Sequence, residues 1–442
     1  MARKECAASQ TEGAAPDDGF DAKAYLQQGS WRDMDLGLDR TRALLAALGN
    51  PQDAYPIVHV AGTNGKGSTS AFIAGILQAA GYDTGLFTSP FILRFNERIQ
   101  VNRVDISDGE LDEVARAVRD AAASIDVHPT AFELITAVAL EHFRRRGCDA
   151  VVLEVGLGGR LDATNVVVPA ACAITSIAFD HMRILGDTLA QIAVEKAGIV
   201  KPGVPVVSYR QAPEAQAVIE DACRAAGSVL VSPRFGRIHA RQEGFSQVFS
   251  YDGIADVRLS LLGTYQPCNA VMAIEVARVL RTRGLAISDD AIKRGLEATR
   301  WPGRFELVAA SPTTIVDGGH NEQGAAMLAS SLRAYFPHRT VTFVAGMLKD
   351  KRYRDMVALV APLAAKVYCV EPPEPERALP AADLAQEFVR AGVADAVACA
   401  SIADGVHRAR TEASPDDVVC CFGSLYSISE VMEALGSSRR DA

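Results

Sequence analysis

A single stretch, His59-Val-Ala-Gly62-Thr63-Asn64-Gly65-Lys66-Gly67-Ser68-Thr69, constrains this chain more than any other. It follows the apolar run 57–61 and precedes 68–80, where Phe72, Ile73, Ile76 and Leu77 share one helical face before Gly81. A glycine-rich turn from a buried strand into a helix aims backbone N–H groups and the positive end of the helix dipole at one point, which favours an anion there. Lys66 adds a full charge, and Ser68 and Thr69 add hydroxyls for phosphate or Mg²⁺. The usual spacing G-x-x-x-x-G-K-[ST] is not met: Val60 stands at its first position, and Gly67 separates Lys66 from Ser68. The pattern predicts a phosphate loop of altered spacing on an α/β scaffold.

The rest of the chain supplies that scaffold. Apolar runs rich in β-formers alternate with helical patterns almost throughout, the signature of a mostly parallel sheet. Strands are expected at 86–88, 150–155, 172–177, 204–209 and 229–231. Helices are expected at 111–122, 134–146, 189–197, 215–225, 269–279 and 290–298, with a capping box, Ser107 and Glu110, ahead of the first. Residues 236–262 alternate between glycines and suggest antiparallel hairpins at a sheet edge. A second unit opens near Trp301-Pro302-Gly303. Its strand candidates, 313–316, 341–344, 366–370, 396–399 and 418–422, recur at the spacing of a doubly wound, Rossmann-like sheet. The expected division is a flexible tail over 1–20, a phosphate-loop domain over 21–298, and a smaller C-terminal α/β domain over 299–442.

Composition narrows the function. A chain of 442 residues with net charge −9 is long enough for two cores, and its balance opposes a general polyanion-binding surface. No apolar run approaches the roughly 20 residues of a membrane span, and the start lacks the apolar core of a secretory signal. Nine scattered cysteines without a C-x-x-C fit a reducing cytoplasm and oppose a thiolate zinc site. Neither a nucleic-acid nor a membrane partner is expected, and the chain is expected to be a monomer.

Further motifs follow in order: Thr88-Ser-Pro90, Phe95-Asn-Glu-Arg-Ile99, Leu153-Glu-Val-Gly-Leu-Gly-Gly-Arg-Leu-Asp-Ala-Thr-Asn165, Asp180-His181, Glu195-Lys-Ala-Gly198, Trp301-Pro-Gly-Arg304 and Asp317-Gly-Gly-His-Asn321. With the phosphate loop, they make the chain resemble the ATP-dependent Mur ligase family in its folylpolyglutamate synthase/dihydrofolate synthase branch, over about 25–435. The resemblance implies an N-terminal P-loop ATPase domain and a C-terminal ligase domain. It implies an enzyme that uses ATP and Mg²⁺ at two sites to join glutamate to a folate or dihydropteroate carboxylate through an acyl phosphate. A folate-like ligase coupling an amino acid to another carboxylate stays open beside it.

On this resemblance Asn64, Gly65, Lys66, Gly67, Ser68, Thr69, Asn269, Arg304 and Asp317 hold the nucleotide, and Lys66, His181, Lys196 and Arg304 serve catalysis. Ser89, Glu154 and His181 ligate Mg²⁺, although a hard oxygen-seeking cation would not select His181 on softness alone. Lys196 is expected to carry a carbamate, since a desolvated amine of lowered pKa can add CO₂. Phe91, Arg98, Thr130, Phe132, Glu133, Leu161, Asp162 and Ala163 line the pteroate pocket. For Thr130 and Glu133 a capping box, T-x-x-E, is an equal account, and Asn321 reads as an N-cap. Phe91 stands where the branch usually has His, Arg103 where Gly is common, Met182-Arg183 where Thr-Asp is usual, and Arg352 where Asp is common. Phe91 is flat and apolar and could stack on a pterin ring.

Overall fold

The computed structural model describes residues 19–28, 37–126 and 128–436. The expected tail therefore lies outside the described residues, save for 19 and 20. Among the described residues seventeen strands fall into three sheets. The first contains β1 (Ile57–Ala61), β2 (Thr84–Phe87), β3 (Ile99–Val101), β4 (Val104–Asp105), β5 (Ala150–Glu154), β6 (Ala171–Ile174), β7 (Val206–Ser208) and β8 (Leu230–Val231). Their order is β4-β3-β2-β5-β1-β6-β7-β8. All neighbours from β2 to β8 run parallel, and β3 and β4 add an antiparallel edge.

The central strands are buried along their whole length, as expected of a parallel sheet covered on both faces. The helix Lys66–Ala79 lies on one face with the helices Gln266–Thr282 and Asp289–Ala298, in a core built around Phe72, Leu77, Met272 and Ile292. The helix Ala131–Arg145 covers the other face, with Val138 and Phe143 packed toward Val151 and Leu153.

The expected hairpins at 236–262 form their own three-stranded antiparallel sheet, β9 (His239–Glu243), β10 (Ser246–Tyr251) and β11 (Ile254–Leu259), rather than an edge of the large one. Phe249, Val257 and Leu259 of this sheet pack into the core of the helical face. Burying this alternate set on the helices, not extending β8, is what fixes its place.

The third sheet joins β12 (Glu306–Ala310), β13 (Thr313–Asp317), β14 (Val341–Ala345), β15 (Ala364–Cys369), β16 (Ala396–Ala398) and β17 (Val418–Phe422) in the order β12-β13-β17-β14-β15-β16. Only β12 is antiparallel, pairing with β13 at the edge of the sheet. This sheet has its own core around Phe343, Leu328, Met356 and Phe388. Both large sheets turn the carboxyl ends of their parallel strands toward one cleft, where open α/β sheets bind ligands.

Candidate active site

The phosphate loop leaves β1 at Ala61, between β5 and β6. Its Thr63 and Asn64 N–H groups donate to the Ser176 carbonyl at 2.8 and 3.2 Å, anchoring the loop on the strand beside it. Gly65 caps the helix at φ +89°, a left-handed value that favours glycine, and a Cβ there would lie 2.7 Å from Asn269 Oδ1. Lys66 is the first helical residue, and its Nζ donates to the Thr63 carbonyl at 3.3 Å.

Asn64, Gly65, Lys66, Gly67, Ser68, Ser89, Glu154, His181, Lys196, Asn269, Arg304 and Asp317 all line one cleft. Thr69 does not: its side chain is fully buried and its hydroxyl has no partner. The helix turns it inward, so only Ser68 of the two hydroxyls faces the cleft.

Two charges in this wall are held against their ordinary ionisation. Glu154 ends β5 with 3 % exposure. Burial pushes its carboxyl up to about 7, against the pull of Lys66 and Arg304 and a hydrogen bond from the Ser89 N–H. Lys196, buried on the helix Leu189–Ala197, donates from Nζ to the Gly62 carbonyl at 2.7 Å. Burial, helped by the Lys66 charge, lowers its amine to about 7. A buried carboxylate beside a cationic loop is suited to a hard divalent cation that bridges phosphates. Among the described residues no cluster of three or more His, Cys, Asp or Glu side chains forms a metal cage. Glu154, Ser89 and His181, the metal ligands expected from the sequence, line the same cleft.

The opposite wall comes from the third sheet. Asp317, at the end of β13, accepts from the Gly319 N–H at 2.7 Å, the Phe305 N–H at 2.8 Å and the Tyr265 hydroxyl at 3.2 Å. The two walls meet at Asp180, next to His181. Its carboxylate takes the Lys351 ammonium, lies 3.3 Å from His320 Nε2, and accepts from Asn321 Nδ2 at 3.1 Å. The hydrogen bond to His320 and the charge of Lys351 hold Asp180 well below the usual carboxylate range despite its burial. Burial, with Lys351 nearby, lowers His181 to about 4, so it is neutral at pH 7. Asn321 caps the helix Glu322–Tyr335 by accepting from the Gly324 N–H, as expected, and also exchanges hydrogen bonds with Asn64 of the phosphate loop.

The residues expected to wall the pteroate pocket lie behind the cleft rather than in its lining. Thr130 and Glu133 form the capping box of the helix Ala131–Arg145, and Glu133 also pairs with both sides of the Arg40 guanidinium at 3.1 and 3.0 Å. Phe132 backs onto the cleft-lining Gly156, where a Cβ would fall 2.5 Å from its ring. Asp162 caps the turn Ala163–Val166 and accepts from the Leu157 N–H at 2.8 Å and from the Thr164 N–H and hydroxyl at 3.0 and 2.5 Å. It thereby ties the turn after Glu154 closed, with Leu161 half-buried and Ala163 buried beside it. Phe91 is engaged by protein: Arg98 sits over its ring at 5.2 Å and over Phe95 at 5.8 Å. Arg98 is half-buried, its desolvated guanidinium is lowered to about 10, and its Nε has no partner among the described residues.

Asp180, Lys351, Tyr265, Arg377 and Ser424 also line the cleft and were not singled out as site residues in the sequence. The Asp180-His181 pair was the available signal. Tyr265 precedes the helix Gln266–Thr282, and Lys351, Arg377 and Ser424 sit in loops after β14, β15 and β17, where no periodicity marks them.

A P-loop wall, an unpaired buried carboxylate and a second α/β unit closing over both define an ATP-using two-domain ligase fold. Two family models match: the Mur ligase middle domain over residues 60–277 and the Mur ligase glutamate ligase domain over 303–425. The chain is 38 % identical over 412 residues to the dihydrofolate synthase/folylpolyglutamate synthase of Bacillus subtilis (strain 168), covering 90 % of this chain and 95 % of that one. Mycobacterium tuberculosis folylpolyglutamate synthase complexed with ADP superposes with a TM-score of 0.87 at 30 % identity, over 94 % of this chain and 98 % of that one. Escherichia coli FolC in complex with DHPP and ADP gives 0.83 at 32 % identity, over 95 % and 97 %. The chain belongs to the Mur ligase family, in its folylpolyglutamate synthase/dihydrofolate synthase branch.

Proposed function

We propose that this chain joins L-glutamate to the carboxylate of a dihydropteroate or folate, with ATP converted to ADP and phosphate. A substrate carboxylate oxygen attacks the γ-phosphorus, the bond to the β-phosphate oxygen breaks, and ADP leaves. The glutamate amine then attacks the acyl carbon of the acyl phosphate. Phosphate leaves with the carboxylate oxygen, the nitrogen loses a proton, and an amide remains. No covalent enzyme nucleophile is required. The protein's work is positioning and charge neutralisation.

The observation that carries this reading is the convergence of Lys66, Glu154 and Arg304 on one cleft between two sheets. Lys66 and the loop N–H groups bind the phosphates, and Arg304 offsets charge on the transferring group. Glu154, Ser89 and His181 would hold Mg²⁺, which when bound would neutralise phosphate charge. Lys196, with an amine near 7 and no carboxylate partner, is suited to carbamylation. Between walls joined at Asp180 and Lys351, the acyl phosphate is kept from water. Phe132, Asp162, Leu161 and Ala163 shape the acid pocket from behind its turn, with Phe91 and Arg98 packed on each other behind the same cleft.

The free thiols of the described cysteines support a reducing, cytoplasmic setting, and no described helix is long and apolar enough to cross a membrane. We take the chain to act as a monomer, with its units divided at 298/299. The test is ADP formation with a panel of carboxylates and amino acids. Formation that requires both a pteroate or folate and glutamate, with a product heavier by one glutamyl residue, supports the reading. Turnover only with another acid would keep the ligase and overturn the substrate.

A further inference from the structure

The ligase reading uses the phosphate loop and Arg304 but leaves the residue between them without a role. Gly67 is the insertion that breaks the usual phosphate-loop spacing. A Cβ placed there would lie 2.9 Å from Nε1 of Trp301 and 3.2 Å from its Cε2 and Cζ2. The indole therefore rests directly on the backbone of the first turn of the helix Lys66–Ala79, in a space that only glycine leaves. Its Nε1–H is buried there without a partner. No side chain from the second sheet holds the ring by a hydrogen bond, so its seat on Gly67 is steric.

The same linker is fixed at both ends. Upstream, the helix Asp289–Ala298 meets the phosphate helix at backbone contact: a Cβ on Gly295 would fall 2.5 Å from Ile76 Cα, and one on Gly75 would fall 2.5 Å from Thr299 Oγ1. Thr299 closes that contact by donating to the Gly295 carbonyl at 2.7 Å. Downstream, Gly303 takes φ +67°, and its carbonyl accepts from the Gly318 N–H at 2.8 Å, beside Asp317. Arg304 then enters the cleft. One short segment thus touches the phosphate loop at Trp301 and delivers Arg304 from the other wall.

We propose that Trp301 is a positioning residue that keeps the phosphate loop and Arg304 in register across the linker, so that nucleotide at the loop is felt by the linker. This rests on the ligase reading. It explains the extra glycine as the seat of the ring.

The test pairs complementary variants with a nucleotide-binding signal. Trp301→Ala should raise KM for ATP about tenfold or more, since a misplacement of 1 Å costs up to about a hundredfold, while KM for the folate stays within about twofold of wild type. Trp301→Phe, which keeps a ring on the glycine, should recover most of the loss. Gly67→Ala should cost much more beside Trp301 than in the Trp301→Ala background, because the added methyl meets the indole. Equal cost in both backgrounds, or an unchanged KM for ATP in Trp301→Ala, overturns the proposal. If Trp301→Ala does not fold, Trp31→Phe leaves Trp301 as the sole tryptophan of an otherwise intact chain. Its emission should change when ADP binds. Unchanged emission while calorimetry shows ADP bound overturns the coupling and leaves the ligase reading standing. No ADP binding by calorimetry overturns both.

Discussion

The two walls of the cleft solve the burial of charge in opposite ways. On the second wall the carboxylates have partners in hand: Asp317, although burial still raises its carboxyl, accepts two backbone N–H groups and a tyrosine hydroxyl, and Asp350 pairs with Arg377 at 2.8 Å. On the first wall Glu154 and Lys196 are buried with no opposite charge in contact, and each is pushed toward its neutral form. Completed pairs fix a shape. Uncompleted charges cost stability and persist where a ligand completes them. In the proposed function, phosphate, Mg²⁺ and a carbamate on Lys196 would complete the charges of the first wall.

The largest effect should come from breaking the first wall. Lys66→Ala and Glu154→Gln should each lower kcat by roughly a hundredfold or more, the scale of losing one preorganised charge or donor, in steady-state assays at saturating Mg²⁺. Circular dichroism should show the fold retained. Glu154→Gln should also remove a pH dependence of stability. A carboxyl raised from 4.5 to about 7 on folding contributes fully below 4.5 and loses that contribution as pH rises through 7. Thermal midpoints of the metal-free wild type should therefore fall relative to Glu154→Gln between those values. Parallel curves would show that Glu154 is not strained.

Lys196 sharpens the same contrast. Its amine is lowered from 10.5 to about 7, so stability rises with pH between those values and the cost is full below 7. Lys196→Met should be nearly inactive yet more heat-stable at neutral pH, by a few kcal/mol at the linkage limit of about 1.36 kcal/mol per pH unit. In Lys196→Ala a short carboxylic acid should restore part of the activity by supplying the missing anion. Intact-mass analysis of the wild type should show a carbamate-sized adduct that acid removes. Absence of both rescue and adduct would leave Lys196 a plain buried amine.

The seam between the walls gives an intermediate effect. Lys351→Met leaves Asp180 buried with its remaining partners, His320 and Asn321. Removing one partner of a buried pair costs about 3–5 kcal/mol. Denaturant titration should show most of that loss at pH 7. The loss should shrink as acid protonates Asp180, whose stabilisation lies above the normal carboxylate range and fades as pH falls through its lowered value.

Phe91→His should be the mildest change. Because Phe91 lies against Arg98, losing the cation–π contact costs about 0.5–1 kcal/mol, and KM for the pteroate or folate should move less than about tenfold. A far larger change confined to that KM would mean that Phe91 meets the pterin directly, as the sequence suggested.

Much of this was legible in order along the chain. Strands 57–61 and 418–422 and the helix at 189–197 coincide with their expected limits, because each is a largely apolar run or a clean helical stripe between punctuating residues. The phosphate loop and Glu154 were legible because glycines and a charge stand at the ends of buried strands. The sequence did not reveal what each polar group is spent on. Thr69 faces inward by one helical step, Glu133 is consumed by its cap and by Arg40, and Phe91 is taken by Arg98. Lys351 and Arg377 reach the cleft only because loops after β14 and β15 fold back. Such long-range pairings leave no period in the sequence.

The central claim, that ATP at this cleft activates a carboxylate as its acyl phosphate, is tested most directly by oxygen transfer. Dihydropteroate or folate labelled with oxygen-18 in the reacting carboxylate is turned over with ATP and glutamate, and the released phosphate is analysed by mass. One labelled oxygen in the phosphate per amide formed is the predicted result. Amide formation with unlabelled phosphate would contradict the acyl phosphate and, with it, the role assigned to the charged wall.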